Sequence, residues 1–129
     1  MQTASATLSS YRQSPRKVRL VAGLIRGKKV SVSLVELGAR SKRAAPVMEK
    51  LLRSAIANAK VQGMDEATLI VKEVRVDQGA ILKRSMPRAF GRAFPIHKHT
   101  SHVTITLASD LAPIKAAKVV APKAEKKTA

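Results

Sequence analysis

The segment Lys83-Arg-Ser-Met-Pro-Arg-Ala-Phe-Gly-Arg-Ala-Phe-Pro-Ile-His-Lys98 holds turn residues at its middle (Pro87, Gly91, Pro95) and strand-like sequence on both sides. That order predicts a long β-hairpin projecting from a small domain. Between Asp77 and Asp110 there is no acidic side chain, while Lys83, Arg84, Arg88, Arg92 and Lys98 all fall there. An arm of this composition has little apolar surface of its own and needs a partner to lie against. Its charge makes that partner a polyanion.

The flanks set the register. In residues 102–107, Val103, Ile105 and Leu107 alternate inward, with His102, Thr104 and Thr106 outward. Residues 68–76 are β-rich but change phase: Leu69 and Val71 share one face, Val74 and Val76 the other. Either Lys72 sits on the inner side and snorkels outward, or a bulge shifts the phase. Pairing Val76 with Val103 and Val74 with Ile105 centres the turn near Ala89-Phe90. Each side of the arm then spans roughly 13 residues, about 40 Å at about 3.3 Å per residue.

Upstream, Ala4, Ala6 and Leu8 alternate with Thr3, Ser5, Thr7 and Ser9 in a short strand with one buried face. Ser14-Pro15 starts a helix, with Ser14 as cap and Pro15 at the first helical position. Val18, Val21, Ala22 and Ile25 form its buried stripe, Arg16, Arg19, Gly23 and Arg26 lie opposite, and Gly27 ends it. A second, shorter helix is expected from a Ser31 cap to about Gly38, with Leu34, Val35 and Leu37 inward. A third runs from about Ala44 to Val61 on a stripe of Val47, Met48, Leu51, Leu52, Ala55, Ile56 and Ala59, and Gly63 closes it. After Ala108 the chain loses hydrophobic period and reads as a disordered cationic tail, with a short helix forming on a partner as the alternative. The expected organisation is a single α+β domain over 1–108, including an extended hairpin at 77–102, and a flexible basic tail over 109–129.

Composition bounds the function. The 129 residues carry 25 Lys+Arg against 8 Asp+Glu, a formal net charge of +17, and nucleic acid is the commonest setting for such a domain. Only Tyr11, Phe90 and Phe94 are aromatic, too few for a base-stacking platform. Without Cys there are no disulfides or thiolate metal sites. No apolar run approaches eighteen residues, and the N-terminus lacks the layout of a secretory signal.

Two cationic sets stand out as phosphate contacts. Arg12, Arg16, Lys17, Arg19, Arg26, Lys28 and Lys29 precede the first acid, Glu36. A solvated face would normally mix in carboxylates, and guanidinium groups fork two donors onto one phosphate. The arm supplies Lys83, Arg84, Arg88, Arg92 and Lys98, with His99 beside them. Phe90 and Phe94 either stack on bases or fill a crevice in the partner, or else pack on each other or on the hairpin. His97 and His99 share a strand face and His102 has the opposite parity, with no Cys or carboxylate nearby to complete a metal or catalytic site. Gly27-Lys28-Lys29 and Gly91-Arg92 lack phosphate-loop spacing, and a helix-turn-helix over 15–40 would present few base-reading side chains. No catalytic residue, metal or cofactor is expected.

Four blocks, Ser14 to Val30, Ser54-Ala-Ile-Ala-Asn-Ala59, Met86-Pro-Arg-Ala-Phe-Gly-Arg-Ala93 and Thr100-Ser-His102, resemble the bacterial-type family of large-ribosomal-subunit protein twenty-two in order and spacing. The likeness covers roughly residues 4–107. It implies three helices packed on a three-stranded antiparallel sheet with one extended hairpin. It further implies a non-enzymatic, cytoplasmic, ribosome-bound protein, a monomer within the ribosome, that aids subunit assembly. Its partners would be large-subunit rRNA, neighbouring ribosomal proteins and the nascent peptide. On that resemblance Met86, Pro87, Arg88, Ala89, Phe90, Gly91, Arg92, Ala93 and Phe94 would line the peptide exit tunnel near the macrolide site. Two positions depart from the family pattern: Phe90 stands where a basic or polar residue is usual, and His99 where Arg is usual. The rival reading is an architectural DNA-binding protein whose β-arm enters the minor groove, with Pro87 or Pro95 as a wedge.

Overall fold

The computed structural model describes residues 2–109. The tail expected beyond that point therefore lies outside the described residues. Six main elements follow in order: β1 (Thr3–Tyr11), α1 (Pro15–Ile25), α2 (Val30–Gly38), α3 (Ala45–Val61), β2 (Leu69–Pro87) and β3 (Ala93–Ser109). The strands form one antiparallel sheet in the order β1-β3-β2, so β3 is central. This is the expected α+β arrangement, with the long β2–β3 hairpin.

Val103, Ile105 and Leu107 are fully buried between the two flanking strands and the helices. Ala4 and Ala6 from β1 and Val71, Val74 and Val76 from β2 complete the sheet's inner face. Val74 pairs with Ile105 and Val76 with Val103, as the alternation requires. The phase change is a bulge: the register shifts between Val71 and Glu73, leaving Lys72 unpaired and both Lys72 and Glu73 exposed. A second shift between Gln78 and Ile81 moves the centre of the turn onto Phe90.

The helices bury the expected stripes on α1 (Val18, Val21, Ala22, Ile25) and, for the most part, on α3. On α3 Val47 is half-buried and Ala45 takes the first inward position. Two local readings need correction. Ser14 occupies the N-cap of α1, but its side chain makes no capping bond. Its carbonyl already accepts from Lys17 N–H (3.0 Å) and Val18 N–H (3.2 Å), so the donor a hydroxyl would take is spent. In α2 the helix starts at Val30 after Lys29, placing Ser31 inside it. The inward positions become Val30, Ser33, Leu34 and Leu37, the i, i+3, i+4, i+7 series from the true start. Val35 points out, 74% exposed. Ser33 is buried with its hydroxyl satisfied, donating to Lys29 C=O at 2.9 Å.

Gly27 follows α1 with φ 75° and lets the chain turn against β2. There its N–H donates to Val71 C=O (2.8 Å), and Val71 N–H donates to Lys28 C=O (2.9 Å). The α1–α2 connection is thereby fastened to the edge of the sheet.

The revised face of α2 predicts opposite outcomes at neighbouring positions. Leu37→Ala should cost about 2–5 kcal/mol in urea unfolding, as for other buried leucines. Val35→Lys should stay within about 0.5 kcal/mol of the parent.

Candidate nucleic-acid interface

Beyond the bulge at Gly79-Ala80 the sheet continues as a two-stranded ribbon, paired from Ile81–His99 to Pro87–Ala93. Residues 83–95 are exposed throughout; only Ile81, Leu82 and Ile96 are half-buried. Seven residues from Ile81 to Pro87 give the paired ribbon a reach of roughly 23 Å. Lys83, Arg88 and Arg92 stand on it, clear of the helices.

At the tip, Phe90 and Gly91 both adopt left-handed backbone (φ 58° and 67°). Arg88 N–H donates to Arg92 C=O at 2.8 Å and closes the loop. Met86 faces Phe94 across the ribbon, and the Arg88 guanidinium lies 5.6 Å from the centre of the Phe94 ring, within cation–π range. Phe94 thus packs partly on the hairpin itself. Phe90 does not: it is 98% exposed, and an exposed aromatic in left-handed backbone is a costly group to leave in water.

At the root of the arm the chain brings together cations that are remote in sequence. Arg12, from the end of β1, lines a hollow of about 270 Å³ with Leu82 and Arg84 of β2 and Lys98, His99 and Thr100 of β3. A neighbouring hollow of about 340 Å³ is lined by Ser14, Pro15, Arg16, Arg19, Gln78 and His99. His99 belongs to both, so the two form one cationic surface around the place where the arm leaves the domain. Lys17 is exposed in the first turn of α1 next to it, whereas Lys29, also exposed, lies at the far end of α1, bridged to Ile70.

The arginines of α1 are not a uniformly free face. Arg19 donates through Nε (3.1 Å) and Nη2 (2.9 Å) to Val76 C=O, and Arg26 Nη2 donates to Val74 C=O at 2.6 Å. With Gly27 on Val71, these bonds occupy the outward carbonyls of β2, an edge that could otherwise pair with another strand. The cause is packing: α1 lies alongside β2, so its polar flank meets the sheet edge before it meets solvent. Both side chains are otherwise exposed and keep guanidinium N–H groups for a ligand. Lys28 is engaged differently, in an ion pair with Glu36.

The described acidic groups are confined to the globular part. Glu36, Glu49, Glu66, Glu73 and Asp77 pair with Lys28, Arg53, Lys60 and Arg75, and Asp65 caps a short 3₁₀ turn by accepting from Ala67 N–H. Among the described residues no carboxylate pairs with Arg12, Arg16, Lys17, Arg19, Arg26, Lys29 or any cation of the arm. Sequence reasoning passed over Arg40, Lys42 and Arg43, exposed in the α2–α3 connection. Tyr11 OH donates to Gln13 Oε1 (2.7 Å) and lies 3.4 Å from Arg43 C=O, which sets that loop beside the strand end that precedes Arg12. The signal was present, three cations in four positions without an acid, but nothing local placed them near the arm.

The histidines do not converge. His97 and His99 rings lie 6.4 Å apart on one face of the ribbon. His102 uses Nδ1 to accept from Ser10 N–H at 3.0 Å. A family model described as ribosomal protein L22p/L17e matches residues 6–108 of the chain.

The edge bonds predict a stability role for two of the arginines. Arg19→Ala and Arg26→Ala should each cost about 1.5–3 kcal/mol by urea titration, the range of a hydrogen bond with a charged partner. Arg16→Ala, which makes no such bond, should stay within about 0.5 kcal/mol.

Proposed function

Since the chain belongs to the ribosomal protein L22p/L17e family, structural constituents of the large ribosomal subunit and not enzymes, we propose that its arm and the cationic surface at its root bind large-subunit rRNA. The observation that carries this reading is charge segregation. The described carboxylates are spent on the globular part, and the arm and its root are left with cations alone. The Arg12–Arg84–Lys98–His99 hollow is wide enough for a phosphodiester and offers forked guanidinium donors to it. Each phosphate neutralised there releases condensed counterions, so affinity falls steeply with salt.

In this reading the globular part stays at the subunit surface, the arm runs into the RNA, and Met86 to Phe94 reach the wall of the nascent-peptide tunnel beside the macrolide site. Two features of the tip support it. Phe90 and, in part, Met86 present apolar surface left uncovered by the described residues. The ribbon's two edges also leave backbone donors and acceptors open to a partner. Neighbouring ribosomal proteins and the nascent peptide complete the set of partners, and the chain acts as a single copy. The DNA-bending alternative is displaced by the family membership.

Two outcomes test it. Arg84→Glu with Lys98→Glu should leave the urea midpoint near that of the parent. It should also lower the slope of log K against log salt for an rRNA fragment by roughly 1.5, at about 0.7–0.9 for each phosphate no longer neutralised. An unchanged slope would place the hollow away from RNA. Arg88→Glu with Arg92→Glu should slow entry into large subunits on sucrose gradients or alter macrolide sensitivity. Normal gradients with an unaltered drug response would count against the tunnel-directed arm.

A further inference from the structure

We propose that Gly79, Thr100 and His102 form a lock at the root of the arm that fixes the direction in which it leaves the domain. The inference concerns the chain alone and does not depend on the identity of the arm's ligand.

At the root, three strands become two. The β1–β3 register shifts after Leu8, and β1 ends at Tyr11, opposite Ser101. β2 bulges between Gln78 and Ile81. A bulge interrupts the ladder and bends its strand, so a ribbon attached through one would swing unless its carbonyls were held. Thr100 supplies the hold. It is buried, and its hydroxyl donates to Ala80 C=O at 2.5 Å, a carbonyl of the bulge itself.

His102 holds the other departing strand. Its Nδ1 accepts from the N–H of Ser10, whose backbone is left-handed (φ 54°) where β1 peels away from β3. A backbone N–H can only donate, so Nδ1 carries no proton and the ring hydrogen of the neutral imidazole sits on Nε2. That edge of the ring faces Gly79. A Cβ at Gly79 would lie 2.5 Å from Thr100 Oγ1 and 3.0 Å from His102 Nε2. The missing side chain is therefore what allows both groups to stand against the bulge.

The central strand thus pins both neighbours at the same level, β2 through Thr100 and β1 through His102. Ser101, between them, is fully buried on the core face. Thr100 and His102 of the Thr100-Ser-His102 block then have a structural assignment, while the buried Ser101 hydroxyl has no hydrogen-bond partner among the described residues. Because Arg12 follows Ser10 by two residues, while Arg84 and Lys98 stand on the arm just beyond the bulge, the same lock sets the spacing of the cations in the root hollow.

The chain has no Cys, so two can be introduced as spin-label sites in the full-length protein, Ser54→Cys on α3 and Ala93→Cys on the arm. Double electron–electron resonance should give one narrow distance for this parent. Thr100→Val keeps the branched shape but puts a methyl in place of the hydroxyl; it should broaden the distribution at least twofold, while amide protection in α1–α3 is retained. His102→Leu should do the same, whereas His102→Asn, which places an acceptor where Nδ1 stood, should restore the narrow distance. A parent-like width in Thr100→Val, or a parent distribution already broad, would overturn the lock. Equal broadening by Asn and Leu would overturn the role of Nδ1.

Discussion

Burial of Val103, Ile105 and Leu107 in the middle of the sheet is the constraint from which the remaining architecture follows. These residues alternate along β3, and a slip of one position would turn all three into solvent, so the register against both neighbours is strongly specified. β1 and β2 align on that register, the helices cover its apolar face, and the arm is what remains of β2 and β3 when the core runs out. The level at which the arm departs is thus a consequence of core packing many residues away.

Electrostatics divides the molecule in the opposite sense. The formal charge of +17 is self-repelling, yet the described acids lie on the globular part, where they offset nearby cations. Each of those exposed pairs contributes little stability. Their larger consequence is that the arm and its root keep an unbalanced field, with side chains of one sign facing one another across the Arg12–Arg84–Lys98 hollow. A ligand carrying phosphates relieves that repulsion, and the same term that opposes compactness in the free chain favours association.

Arg19 and Arg26 show why charge counting misjudges individual residues. They belong to a basic run, but their guanidinium groups also close the β2 edge at Val76 and Val74. Lys28 is balanced by Glu36 and Lys29 is not, although the two are adjacent in sequence. Three kinds of cation come out of one run: edge clamps with spare donors, an internally paired lysine, and groups with no carboxylate partner among the described residues.

Local pattern was enough for the elements and their pairing. Period-two alternation at 103–107, the α1 and α3 stripes, and Pro/Gly punctuation at 87–95 follow from side-chain geometry within a few residues, and the absence of acids from the arm is visible directly. Pattern failed where a boundary moved or a choice depended on distant atoms. Starting α2 at Val30 instead of Ser31 turned Val35 outward and Ser33 inward, because each position rotates the helical face by about 100°. The choice between a snorkelling Lys72 and a bulge, the gathering of Arg12, Arg84, Lys98 and His99, and the bonds of Thr100 and His102 to Ala80 and Ser10 belong to tertiary structure alone. Those depend on strands separated by up to about ninety residues meeting at one level of the sheet, a relation that burial of a shared core imposes and no local window contains.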